Sequence, residues 1–166
     1  MASGDTLVVF TPLANEPPAT IFATPDLRNG HPVLDFDGAA DEEAVFTAVL
    51  PRNYVGGGLT VGHYIAFTSA TSGSVRLQGS IERIDASSLD IDADSFASAN
   101  SAGGTAPGTS GQFIVVTITF TSGAQMDSLA VGEAFRYKVR RDADGTSGTD
   151  DITTDMELLA IEVKET

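Results

Sequence analysis

Few residues in this sequence are placed to do chemistry. His31 and His63 are the only histidines, there is no cysteine, and no Gly-x-Ser-x-Gly elbow occurs. A nucleophile–base–orienter hydrolase therefore has little to build on. His63 falls on the apolar face of a strand-like segment, where a hydrogen-bonded structural histidine is expected. His31 follows Asn29-Gly30 and reads as a polar turn residue. The triple glycine at 56–58 lacks the Gly-Lys-Ser/Thr ending of a phosphate loop and reads as a hairpin-type connection. No pair among the acids is singled out as glycosidase carboxylates, and aromatics suited to stacking sugars are few. No catalytic residue is assigned, and the expectation is a protein that is not an enzyme.

Carboxylates offer the next chemistry. Asp142, Asp144, Asp150 and Asp151 cluster around Gly145, a set of oxygen ligands on a flexible turn that suits a hard cation such as calcium. The spacing to a bidentate Glu that an EF-hand requires is missing. Asp90, Asp92 and Asp94 form a second set, on one face if the segment is extended. Solvated acidic loops explain both groups as well. No other cofactor is indicated.

Arg136, Lys138, Arg140 and Arg141 account for four of only nine Lys and Arg in a chain of net charge −14. Three of them line one face of an alternating segment. Two readings stand side by side. The strip is a charged strand face that blocks aggregation, or it is a patch meeting Asp37, Asp41, Glu42 and Glu43 of the next subunit and orienting assembly.

The elements that must carry these groups are strands. Val75, Leu77 and Ile81 alternate with Arg76, Gln78, Ser80 and Glu82; Phe135, Tyr137 and Val139 alternate with the basic residues. Leu59, Val61, His63, Ile65 and Phe67 share one face, as do Leu159, Ile161 and Val163. Residues 112–120 (QFIVVTITF) are apolar enough for a central strand covered on both faces. Shorter strands are expected at 32–36 and 44–50, with another short one at 87–92, and a helical turn at 126–129. Residues 20–37 read as an irregular lead-in that contains the short strand at 32–36, and 98–111 as loop. About eight strands with turn-rich connections and no long helix predict an all-β fold, a single-domain β-sandwich of jelly-roll type. At 166 residues such a domain buries roughly 70% of its unfolded surface.

The N-terminal segment stands apart. Leu7, Val8, Val9 and Phe10 form a short strand-like run, and Pro12, Pro17 and Pro18 stiffen the connector after it. Residues 1–19 are therefore taken as a strand on a proline-rich arm and 20–166 as the sandwich. A strand on such an arm pairs either with its own domain after a long excursion or with another copy.

The phrases GDTLVVFTPLANEPP, RNGHPVLDFD, DEEAVF, LPRNYVGGGLTV, SGSVRLQGSIERI, GEAFRYKVRRDAD and VKET together resemble a group of small, uncharacterised proteins of environmental bacteria and their phages. The resemblance implies a jelly-roll protomer that repeats in thin helical fibrils or phage appendages. It transfers no active-site residues.

From these features the expected function is that of a structural protomer. It assembles head to tail with itself into an extracellular or virion-associated filament by donating residues 6–10 to a neighbour's sheet edge. The alternative is a glycan- or receptor-binding module of a phage fibre or capsid surface. The charge excludes nucleic acid and anionic membranes as partners. The first residues do not read as a signal peptide, lacking its basic and apolar regions, and no apolar run reaches about 20 residues.

Overall fold

A computed structural model of the protein describes residues 4–166. Ten strands form two facing antiparallel sheets: β1 (Thr6–Phe10), β2 (Thr24–Arg28), β3 (His31–Phe36), β4 (Glu42–Val49), β5 (Gly58–Phe67), β6 (Ser74–Ile84), β7 (Asn100–Thr105), β8 (Ile114–Thr121), β9 (Ala134–Arg141) and β10 (Met156–Glu165). Sheet A runs β2-β3-β10-β5-β8, and sheet B runs β4-β9-β6-β7. β1 and β3 share one side of β10: Met156–Leu158 pair with β3, and residues 161–164 with β1.

The period-2 pattern sets which faces meet. Val61, Ile65 and Phe67 of β5 and Val116, Ile118 and Phe120 of β8 face Val75, Leu77 and Ile81 of β6 and Phe135, Tyr137 and Val139 of β9 in one core. A register shift between Leu158 and Ala160 breaks the alternation of β10. It turns Leu158 inward with Ile161 and Val163, and leaves Leu159 half-exposed on the outer face, whereas simple alternation places it in the core.

Several boundaries differ from those expected of the sequence. β2 lies within the presumed lead-in, because Asn29 (φ 48°) and Gly30 (φ 79°) supply two consecutive left-handed residues that close a tight hairpin onto β3. β7 lies within the presumed loop; its Asn-Ser-Ala-Gly-Gly-Thr sequence has no apolar pattern, and the strand exists because β6 offers it a ladder. Residues 87–92 form turns. β8 is an edge strand, not a central one, since Val115, Thr117 and Thr119 are exposed. The glycines at 56–58 make a crossing from β4 of sheet B to β5 of sheet A, so they do not form a hairpin. At Gly58 (φ +131°) a Cβ would sit 2.4 Å from the Phe120 carbonyl oxygen.

The N-terminal strand lies on its own domain. Phe10 is buried, stacked on Phe46 with centroids 5.1 Å apart and edge-on to Phe135. The arm then crosses from sheet A to sheet B. The Glu16 amide donates to Val45 O (2.7 Å), the Val45 amide to Asn15 Oδ1 (3.0 Å), and the Ala23 amide to Glu43 O (3.0 Å). The stiff segment thereby covers the free edge of β4. On the other flank, the Asn100 side-chain Nδ2 donates to Thr119 O (2.7 Å), linking the edge strands β7 and β8.

Candidate functional site

The basic strip finds its acids within the same chain. Arg136 pairs with Glu82 on β6 (2.8 Å), Lys138 with Glu43 on β4 (3.3 Å), and Arg140 with Asp41. Asp41 and Glu43, expected to meet the strip from the next subunit, lie beside it because β4 and β9 are ladder neighbours. Phe96 covers the strip further, with Arg136 and Lys138 at 5.1 and 4.7 Å from its ring centre.

Arg141 points the other way and is fully buried. Its Nε and Nη2 donate to the two oxygens of Asp150 (3.0 and 2.9 Å), Nη1 to Thr154 O (2.8 Å) and Phe36 O (3.3 Å), and Nη2 also to Ile152 O. All five guanidinium donors are thus engaged. They fix the 142–155 loop beneath the end of β3.

This arrangement divides the presumed cation set. Asp150 is held by Arg141, and Asp151 accepts the Ser74 amide (2.5 Å). Asp142 accepts from Thr146 Oγ1 and from the Ser147 amide and hydroxyl (2.6–2.8 Å). Its carboxyl is held below the usual range: burial pushes it up, and these hydrogen bonds outweigh that push. One oxygen each of Asp41, Asp142 and Asp144 falls within 4.8 Å of the others; Asp150 and Asp151 are not in that group. Asp90 and Asp92 sit in a turn, where the Asp90 carboxylate accepts the Asp92 amide (3.0 Å), so the second set does not share an extended face.

His63 is fully buried between the sheets. Its Nδ1 lies 2.9 Å from Val116 O and its Nε2 2.7 Å from Tyr137 Oη. A carbonyl can only accept, so Nδ1 carries the proton and Nε2 accepts from the tyrosine. Burial pulls its pKa down to about 4 and pushes that of Tyr137 well up. Both groups are structural.

The outer face of sheet A is the surface best equipped to hold a ligand. The register places Thr6, Lys164, Thr60 and Thr119 in one row across it, and Val9, Glu162, Gly62 and Thr117 in the next. Ala160, Tyr64 and Val115 form a third row. Tyr64 meets Phe113, ring centroids 5.9 Å apart at 43°, and Phe113 remains 56% exposed. Gly62 beside them keeps the floor low. Tyr64 Oη donates to Glu162 (3.1 Å), which also accepts from Thr6 Oγ1. The Thr6 hydrogen bond is the main cause of a lowered Glu162 pKa, with Tyr64 and Lys164 adding to it.

Two residues along β5, Ala66 floors a groove of about 290 Å³ between the β2–β3 hairpin and the sheet, with Arg28, His31 and Glu157 on its walls. Arg28 reaches across it to Glu157 and to Phe67 O (2.8 Å). Cross-strand from Glu157, Asp35 is raised to about 6 by burial first and then by Asp26, Glu157 and Asp155.

Of these residues the sequence points only to His31, to Val9 as part of the N-terminal strand, and to the scarcity of aromatics. Tyr64 carries a legible signal, since it alternates with His63, but Phe113 stands inside a segment that looks fully covered. A further mark is the absence of charge: residues 95 to 126 contain no Asp, Glu, Lys, Arg or His.

Among the described residues no helix is long and apolar enough to cross a membrane. No protein-family model and no curated protein matches the chain. Solved structures do. CBM35 from Cellvibrio japonicus Abf62 aligns with a TM-score of 0.51 at 9% identity, over 94% of this chain and 92% of that one. The CBM22-2 xylan-binding domain from Paenibacillus barcinonensis Xyn10C aligns with a TM-score of 0.47 at 12% identity, over 92% of each chain. The K1 cleaved adhesin domain of Lys-gingipain from Porphyromonas gingivalis gives 0.44 at 12%, over 98% and 99%. The chain is an all-β protein with the jelly-roll-like sandwich fold that CBM35 also has.

Proposed function

We propose that this protein is a non-catalytic glycan-binding module that holds its ligand on the outer face of sheet A. The observation that carries the reading is the Tyr64–Phe113 pair, a half-buried tyrosine against an exposed phenylalanine, over the low Gly62 floor. Sugars present apolar C–H faces that stack on such rings, while their hydroxyls need hydrogen-bonding neighbours, which the flanking threonines and Glu162 supply. The sheet beneath is braced by the core, so the platform is formed in advance of binding. The fold likeness to CBM35 supports the reading by analogy.

Affinity gel electrophoresis against a panel of soluble polysaccharides tests it. A retarded band for at least one polymer is expected, with Phe113→Ala weakening binding by on the order of 30-fold, about 2 kcal/mol. Retardation that survives both Phe113→Ala and Tyr64→Ala would place the ligand elsewhere.

A second reading, a self-assembling protomer of a filament, is favoured by how β1 is attached. Phe10 fills a slot between Phe46 and Phe135 at the end of a proline-stiffened arm, and the same segment of a second copy would fit that slot. Light scattering on the full chain and on a variant lacking residues 4–11 checks it. Loss of assembly on deletion supports exchange; monomers at all concentrations refute it.

A further inference from the structure

The distribution of charge narrows the ligand. All 23 acids and nine bases lie outside residues 95–126, as do both histidines. That uncharged stretch supplies β7 and β8, the adjacent edge strands of the two sheets. The two strands of this flank therefore carry no charged side chain of their own. Along β8 the exposed side chains run Phe113, Val115, Thr117, Thr119 and Thr121 on the outer face, a path of about 27 Å at the usual strand rise. The hydroxyls of Thr117 and Thr119 engage no protein partner among the described residues. Beyond them, between β8 and β7, lies a second groove of about 490 Å³ walled by Asn100, Ser101, Thr119 and Gln125. Its amides are ordered: Gln125 Oε1 accepts from the Thr121 amide (2.8 Å) and from Asn100 Nδ2 (3.0 Å).

We infer that the ligand is an uncharged polysaccharide lying lengthwise along β8, from the Tyr64–Phe113 platform at one end to the Asn100–Gln125 groove at the other. The inference rests on the glycan-binding reading and deepens it. Hydroxyls and amides donate and accept without requiring a charged partner, which suits sugar hydroxyls. A carboxylated or sulfated polymer meets no basic side chain on β7 or β8 themselves. The Arg76 guanidinium that reaches the rim of the groove already donates to Ser101 Oγ (2.6 Å), and such a polymer approaches a protein of net charge −14. The length of the path calls for several sugar rings, so the interior of a chain is held and not only its end.

The test uses the full chain in affinity gels and calorimetry, with hydroxyethyl cellulose, xyloglucan and galactomannan as neutral probes. Carboxymethyl cellulose and polygalacturonate are the anionic probes. The expected result is binding to at least one neutral polymer, unchanged between 50 and 500 mM salt as screening arguments require, and none to the anionic pair. Thr117→Val with Thr119→Val keeps the shape and removes two hydroxyls. It should weaken the polymer at least fivefold and leave a disaccharide of the same sugar unaffected. Salt-sensitive binding to an anionic polymer overturns the inference. So does a polymer affinity that falls with Phe113→Ala but not with the threonine pair, and that result leaves the glycan-binding reading standing. Failure of every polymer to bind removes both.

Discussion

Lowering the pH should destabilise this protein through one buried group, His63. The imidazole is enclosed between the sheets, and both its hydrogen-bond partners, Val116 O and Tyr137 Oη, are uncharged. Its pKa falls from 6.5 to about 4 on folding. The unfolded chain therefore takes up a proton below pH 6.5 that the folded chain refuses until about pH 4. Stability is complete above 6.5, declines as the pH falls through that window, and stops declining from this cause below about 4. The difference of about 2.5 units corresponds to about 3 kcal/mol, a large share of the 5–15 kcal/mol typical of a domain. Urea unfolding at pH 7.0, 6.0, 5.0 and 4.2 measures it. The reference is His63→Leu with Tyr137→Phe, which removes both partners of the buried hydrogen bond so that neither is left unsatisfied. The wild type should lose about 3 kcal/mol more than the double variant across that range. Parallel pH profiles for the two proteins would falsify the assignment of a neutral, buried His63.

Other groups respond in different directions. Asp35 is raised from 3.8 to about 6, so its folded state holds a proton more tightly; that contribution is present at acid pH and lost as the pH rises through about 6. Asp35→Asn should raise the urea midpoint at pH 7 and leave it unchanged near pH 3.8; a lower midpoint at pH 7 contradicts the burial argument. Removing Arg141 strands the buried Asp150 charge, and Arg141→Met should cost about 3–5 kcal/mol in urea unfolding, whereas a loss below 1 kcal/mol would mean the carboxylate finds water. Gly79 leaves room for the Tyr137 hydroxyl, which a Cβ would approach at 2.4 Å. Gly79→Ala should cost about 1–3 kcal/mol by overpacking, read as a lowered melting temperature, and Tyr137→Phe in the same chain should recover part of it.

Much of the sandwich is legible because its inner faces are written in period two. The alternations in β5, β6 and β9 each match the core side as observed, including the buried, hydrogen-bonded His63. The failures have local causes. β7 has no apolar residue larger than alanine, so its strand state comes from the ladder β6 offers and not from its own side chains. The bulge after Leu158 shifts the phase of β10 by one residue, which no count of alternation anticipates. β8 looks doubly covered because β-branched residues serve an exposed edge as well as a core. The basic strip is legible as an outward face, but its acidic partners are not, because ladder neighbours far apart in sequence cannot be read from spacing. The aromatic platform is hidden for the same reason: Tyr64 and Phe113 lie far apart in sequence, and only the β5–β8 register brings them together.

Strand β10 lies at the middle of sheet A, flanked by β5 on one side and by β1 and β3 on the other. It is also the last strand in chain order, while β1 is the first. Until residues 156–165 have emerged from the ribosome, β1, β3 and β5 each lack a hydrogen-bonding neighbour that nothing earlier in the sequence replaces. Sheet B, with β4, β6, β7 and β9 all encoded before residue 142, can pair beforehand. Folding of this chain should thus be slow and late, as topologies that join distant segments generally are. The nascent protein would carry unpaired apolar strands until β10 has been made. Its net charge of −14 then has a role before the native state exists, keeping those incomplete chains from adhering to one another.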